Sequence, residues 1–357
     1  MPSEGTLLLQ RKDVAELLSI GECMDAVEKA FCLHAEGKAI PPRVLGFHSG
    51  DGGFHIKAGI LGLHRSYFVA KVNANFPGNL EEHGLPTIQG VIIVCDATNG
   101  RLLALMDSIE ITIIRTGAAT GIAAKYLAPS NATVATVCGC GNQGKISLRA
   151  LLQVRKLEKI YAYDIDETQS QKFNEEFGRQ IEVIPIARHD LSAALMESHV
   201  VITCTPSKEP FIQASDILFG TFVAAVGADN EDKQELFSEL LSKSKVVVDI
   251  AEQSASIGEL HHAIKKGILT VTDIHADLGC IIAGKKPGRL SDKEIIVFDS
   301  TGTALQDAAA AAIVYEKAIS GGVGSQLNFS EYGAKVLPDP KKKLKSINSS
   351  RLWYPFK

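Results

Sequence analysis

The chain has one tryptophan, 6% aromatic residues and no large excess of either charge among its 357 residues. No apolar run reaches the ~18 residues needed to cross a membrane, so no membrane span is expected. The near balance of 37 Lys and Arg against 41 Asp and Glu leaves a net charge of −4 and no basic footprint for nucleic acid. The opening residues, MPSEGTLLLQRKD, lack the basic-then-apolar order of a secretory signal, and a cytoplasmic protein is expected. Seven cysteines, scattered from Cys23 to Cys280, are an odd number, and the C-x-C of Cys138 and Cys140 has no zinc spacing. Reduced thiols are expected. His261, His262 and His275 have no carboxylate or cysteine at ligand spacing, so no metal is expected. What remains is a composition ordinary for a globular protein, 45% hydrophobic and 22% charged, in a chain long enough for two cores.

The most informative stretch is Thr133–Leu152, TVATVCGCGNQGKISLRALL. Small and β-branched residues from Thr133 to Val137 suit a buried strand, and Ile146, Leu148, Leu151 and Leu152 repeat as in a helix. Between them runs a G-x-G-x-x-G turn, in which Gly139 permits a tight bend. Gly141 lets backbone approach a pyrophosphate, with Asn142 and Gln143 opening the helix, and Gly144 lets helix pack on strand. Phosphate would sit on the free N–H groups at the helix start. A glycine turn alone is common at strand-to-helix junctions. Here a second strand, KIYAY (159–163), ends in Asp164, an acid about 20 residues on, as a dinucleotide fingerprint requires. Its carboxylate can accept from both ribose hydroxyls and would repel a 2′-phosphate, which favours NAD over NADP.

Residues 12–37 predict two short helices, the second capped by Ser19 and closed by Gly37. Extended segments follow, His55–Ala58 and Tyr67–Val72, each with a cation inside an apolar pattern. Lysines in such patterns commonly face solvent, but Arg43, Lys57 and Lys71 on neighbouring segments also make a carboxylate-binding pocket conceivable. Val91–Met106 predicts a hairpin turning at Asn99-Gly100. Ser108–Leu127 predicts a helix in which Arg115-Thr116-Gly117 is a poor fit for a solvated face, which suggests close approach to an anionic group. From 133 to about 302, strands at 133–138, 159–163, 181–185, 199–204, 222–226, 245–249 and 294–298 alternate with helices, the pattern of a doubly wound parallel sheet. Thr205-Pro206 and Val226–Asp229 lie at carboxyl ends of strands, where such sheets place ligands. Asp229 is either a site acid or the N-cap of a helix after Asn230. An alanine-rich helix is expected over Thr303–Ala318, and residues 335–357 form a basic tail with three prolines and Trp353.

These pieces resemble the ornithine cyclodeaminase/μ-crystallin family, and most of all its archaeal alanine dehydrogenase-like branch. The resemblance covers roughly residues 8–328 and rests on AKVNANFPGN (70–79), GLPTIQG (84–90), LMDSIEITIIRTGAATGIAAKYLA (105–128), CGCGNQG (138–144), AVGADNEDKQEL (225–236) and VFDSTGTALQD (297–307). It implies an α/β fold, with a Rossmann doubly wound parallel sheet over 129–302 inserted into a smaller α+β substrate-binding and dimerisation domain formed by 1–128 and 303–330. Residues 331–357 are left as a tail. It implies a homodimer closed by strands of both subunits, NAD as cofactor, and a small amino or imino acid as substrate.

By resemblance, Lys71 contacts the substrate carboxylate and the attacking water or amine, and Arg43 and Arg115 are cations near substrate and cofactor. Asp229 stands beside the reacting carbon. Thr87, Arg115 and Thr116 contact phosphate, and Ser300, Thr301 and Gly302 lie near the nicotinamide. The implied chemistry is hydride transfer at Cα of an amino acid, as in a dehydrogenase or imine reductase. The alternatives are a cyclodeaminase that expels ammonia and a non-catalytic nucleotide- or hormone-binding protein. Two departures stand out. His55 and Lys57 occupy the strand where ornithine cyclodeaminase carries a glutamate, which disfavours a diamino acid. Asp229-Asn230-Glu231-Asp232-Lys233 replaces the family's D-x-P-G-K.

Overall fold

The computed structural model describes residues 5–328. Its first part opens with β1 (Thr6–Leu9), α1 (Arg11–Leu17) and α2 (Ile20–Ala35). Ser19 and Glu22 form a reciprocal capping box at the start of α2, and Gly37, at φ +73°, turns the chain after its end. Then come β2 (Ala39–Ser49), β3 (Gly52–Gly62), β4 (Ser66–Asn75), α3 (Asn79–His83), β5 (Ile88–Asp96), β6 (Leu102–Asp107) and α4 (Ile109–Leu127). Strands β2 to β6 form an antiparallel meander. Pro41 and Pro42 are tolerated in β2 because it is the edge strand.

The second part contains β7 (Val134–Cys138), α5 (Asn142–Val154), β8 (Lys159–Tyr163), α6 (Glu167–Phe177), β9 (Glu182–Ile186), α7 (Leu191–Glu197), β10 (Val200–Thr203) and β11 (Phe222–Ala225). It continues through α8 (Ser238–Ser242), β12 (Lys245–Val248), α9 (Ala251–Ile257), α10 (Glu259–Lys265), β13 (Ala276–Asp277), α11 (Leu278–Ile282) and β14 (Ile296–Asp299). Its eight strands are parallel, in the order β13-β12-β14-β11-β10-β7-β8-β9. The order reverses between β7 and β10, the switch point at which a doubly wound sheet opens a crevice. Two-residue β13 is the strand that the sequence pattern does not signal.

The chain returns through α12 (Ala304–Gly321) to β15 (Ser325–Leu327), which pairs antiparallel with β1. Sequence-distant ends thus close one sheet, in the order β15-β1-β6-β5-β4-β3-β2. Helix α12 covers β3 and β4, and α4 lies along α2 and α5. Glycines make that close packing possible: a Cβ on Gly117 would collide with Ile146, and one on Gly121 with Ala150 and Met24. A continuous apolar core runs from the first sheet through α2, α4 and α12 to one face of the second sheet, and a separate cluster fills that sheet's other face. No described helix is long and apolar enough to cross a membrane.

Candidate active site

A cleft of about 250 Å³ lies between the inner face of the first sheet, α4 and the strand ends at the switch point. Lys57 and Lys71 line it, directly opposite one another on β3 and β4 and so on the same face of the sheet. They are 6% and 3% exposed. Two buried ammonium groups side by side repel, and the surroundings offset this differently for each. Lys71 Nζ lies 2.9 Å from Asp307 on α12 and donates to Thr112 Oγ1 at 3.4 Å. Lys57 Nζ donates to the carbonyls of Thr301 and Gly302 at 2.9 and 2.7 Å, which leaves it one further proton.

Arg115, 6% exposed, completes the cluster: Nε donates to Asp307 at 3.0 Å and Nη1 to Gln306 at 2.8 Å. Burial pushes Lys71 down to about 7, Arg115 and Lys57 adding to the push and Asp307 opposing it. Asp307, although desolvated, is held below the usual carboxylate range by Lys71 and Arg115. Lys71 and Arg115 both retain donors that Asp307 and its neighbours do not use, so together they can hold a carboxylate.

Asp229 follows β11 and lines the same cleft. Its side chain is 53% exposed and accepts from Lys233 Nζ at 2.8 Å. Against the upward push of desolvation, Lys233 and Lys57 draw it down to about 2, so it is an anion at neutral pH. No helix starts after Asn230, and the N-cap alternative for Asp229 falls away. Thr116, Gln143, Thr205, Pro206, Val226, Ser300, Thr301 and Gly302 also line the cleft. The buried Gln143 Oε1 and Ser300 Oγ have no hydrogen-bond partner among the described residues.

The glycine turn adjoins this wall. Gly139 has φ +99°, and a Cβ there would press on the carbonyl of Cys204. A Cβ on Gly144 would collide with the carbonyl of Gly139, whereas one on Gly141 would meet nothing within 4 Å. Helix α5 starts at Gly141 and Asn142 with no side-chain cap and no acid in its first turn, so its N–H groups remain open to an anion. Asp164 accepts from the N–H of Cys140 at 2.8 Å and of Asp166 at 3.0 Å, one on each oxygen. Each oxygen keeps a lone pair for a diol.

Two residues named from the sequence lie neither in this cleft nor at the adjoining glycine turn. After a bulge between Ile40 and Arg43, the register sets Arg43 opposite Ala58, on the other face of the sheet from Lys57, and it is exposed. Thr87 lies exposed in the loop before β5. Sequence reasoning misses Asp307, Gln306, Thr112 and Lys233. The available signal for Asp307 is an acid one turn into an alanine-rich helix.

The profile of the ornithine cyclodeaminase/mu-crystallin family matches residues 4–322. An alanine dehydrogenase from Archaeoglobus fulgidus is 43% identical over 329 residues, covering 91% of this chain and 98% of its own. The structure of an archaeal alanine dehydrogenase dimer with bound NAD superposes with a TM-score of 0.86 at 41% identity, over 91% of this chain and 99% of that one. The Δ1-pyrroline-2-carboxylate reductase of Thermococcus litoralis, solved with NADH and L-proline, has a TM-score of 0.81 at 35% identity, over 90% and 100% of the two chains. The chain therefore belongs to the ornithine cyclodeaminase/mu-crystallin family.

Proposed function

We propose that the protein is an NAD(H)-dependent oxidoreductase that transfers a hydride between the nicotinamide and the α-carbon of a small 2-amino acid or its imino or oxo counterpart. The observation that carries this reading is one cleft joining the Lys71–Asp307–Arg115 cluster and an ionised Asp229 to the strand ends beside the glycine turn. The open α5 terminus takes the pyrophosphate, Asp164 the adenosine ribose, and the unpartnered Gln143 and Ser300 face the dinucleotide. An alanine dehydrogenase with bound NAD and a Δ1-pyrroline-2-carboxylate reductase in complex with NADH and L-proline support the assignment.

The bound nicotinamide supplies or accepts the hydride. Lys71 and Arg115 hold the substrate carboxylate. Asp229 stabilises the positive charge of the iminium or amine and fixes its N–H toward the reacting face. In the reductive direction carbon gains the hydride, nitrogen keeps its proton, and an amine results. His55 and Lys57, lining the cleft where a distal ammonium would sit, favour a small or acidic side chain.

We further read 1–128 with 303–330 as the substrate-binding and dimerisation domain and 129–302 as the cofactor domain. The basic tail lies outside the described residues. A homodimer is supported by the unpartnered apolar face of the first sheet, on which Leu45, Phe47 and Phe54 are exposed. Seven free thiols suit a reducing, cytoplasmic setting.

Absorbance at 340 nm, with NADH offered against oxo acids plus ammonia and against cyclic imines, tests the reaction. The expected result is NADH consumption that requires an imine or an oxo acid with ammonia. In Asp229→Ala that turnover should vanish while NADH binding stays nearly intact, and surviving turnover would remove the role of Asp229. Ammonia release from ornithine without net NADH change would make the protein a cyclodeaminase instead.

A further inference from the structure

Glu235, Glu259 and Asp299 are fully buried, and none makes an ion pair among the described residues. Each takes backbone N–H groups belonging to the next member of a series. Asp299 accepts from Glu259 N at 3.1 Å and Leu260 N at 3.0 Å, one on each oxygen. Glu259 accepts from Glu235 N at 2.6 Å and Leu236 N at 3.1 Å, again one on each. Glu235 takes Thr205 N at 2.6 Å and Thr205 Oγ1 at 2.7 Å on Oε1, and Thr203 Oγ1 at 2.7 Å and Gly227 N at 3.0 Å on Oε2. The series ends at the cleft, because Thr205 and Gly227 line it and Asp229 N donates to Gly227 O at 3.1 Å. Gly227 has no space for a side chain: a Cβ would collide with Glu235 Oε2 and Thr205 O.

We propose that Glu235 is a positioning residue whose carboxylate, bridging the chain beyond β10 and β11, sets where Thr205 and Asp229 stand in the cleft, with Glu259 and Asp299 holding Glu235 in turn. The proposal rests on the reading that this cleft is where hydride transfer occurs. Its chemical content is acceptor geometry. A backbone N–H cannot reverse, and each oxygen of Glu235 faces one, so both oxygens must accept. A carboxylate does this, and a glutamine amide in either orientation turns an N–H₂ against one of them. The exposed acids on the surface have no such requirement.

The test is full-length Glu235→Gln, read three ways: amide hydrogen exchange over 203–229 without nucleotide, NADH affinity by fluorescence, and the primary isotope effect on kcat with NADH deuterated at the transferred position. Exchange at the Thr205 and Gly227 amides should rise about tenfold, the loss of one buried hydrogen bond. NADH affinity should stay within a few-fold, kcat should fall about 10- to 100-fold as expected for a misplaced reacting geometry, and the isotope effect should increase as hydride transfer becomes limiting. A kcat that falls only with the folded fraction, at an unchanged isotope effect, would show a purely structural residue and overturn the proposal, as would exchange equal to wild type.

If Glu235→Gln does not fold, Thr203→Val removes one donor to the same carboxylate and keeps both backbone bonds. It should shift the same readouts in the same direction by less, and no shift overturns the proposal. A wild-type protein that transfers hydride to none of the oxo or imino acids would sink the functional reading, while the exchange and NADH-affinity arms still test Glu235.

Discussion

Lys71 shows how burial makes a common residue chemically useful. A lysine at about 7 changes charge within the working range of an enzyme, and its neighbours decide in which form it waits. Two buried cations, Lys71 and Arg115, share the one carboxylate of Asp307 within hydrogen-bond reach, so removing that carboxylate leaves them uncompensated, at a cost of about 3–5 kcal/mol. On the proposed reading, the charged form of Lys71 is the one that holds a substrate carboxylate. It predominates below pH 7 and is lost above it, so kcat/KM should be level to about pH 7 and fall toward tenfold per unit beyond it. In Lys71→Arg that limb should disappear from whatever rate remains, which separates it from titration of the substrate. A wild-type profile flat to pH 8.5, or a limb surviving in the arginine variant, would remove Lys71 from the carboxylate site. Asp229, drawn to about 2, should add no limb between pH 5 and 9. Lys57 and Lys71 are visible in the sequence as charges in apolar strands, whereas Asp307 is not, because nothing local indicates which strand its helix covers.

Among the elements, the turn from β7 to α5 is the most legible, since its requirements are local bends and close approaches. Its glycines nevertheless differ in kind, and the difference is testable. Gly144→Ala places a methyl on the carbonyl of Gly139, so α5 must move off β7, and a loss of about 1–3 kcal/mol should lower Tm by several degrees. Gly141→Ala meets open space and, with φ −76°, incurs no backbone strain. Its Tm without nucleotide should match wild type, while NADH affinity falls because the methyl occupies the approach of the pyrophosphate. Calorimetry and fluorescence titration of the pair decide the matter, and equal NADH affinity in Gly141→Ala would take the phosphates away from this turn. Short β13 escapes a pattern reading because two residues show no alternation and its partner β12 lies before α9 and α10.

In the whole molecule, the first sheet is asymmetric. Helix α12 covers the face that carries Lys57 and Lys71, while Leu45, Phe47 and Phe54 stand exposed on the other, 52%, 54% and 41% accessible. Exposed apolar patches of this kind mark association sites. The double change Leu45→Asp with Phe47→Asp should therefore yield monomers by light scattering while the fold, judged by circular dichroism, persists. A dimer that survives both charges would place the interface elsewhere. The parallel sheet, the dinucleotide turn, the acid closing its second strand and the family were all determined by the sequence alone, because each depends on neighbours within one strand–turn–helix unit or on a run of consecutive residues. Only the tertiary structure decided which charges meet. Lys57 reaches Gly302 across 245 positions and Lys71 reaches Asp307 across 236, and a bulge in β2 turns Arg43 away from both. Compensation of buried charge and the facing of a strand residue depend on topology and register, which no local pattern encodes.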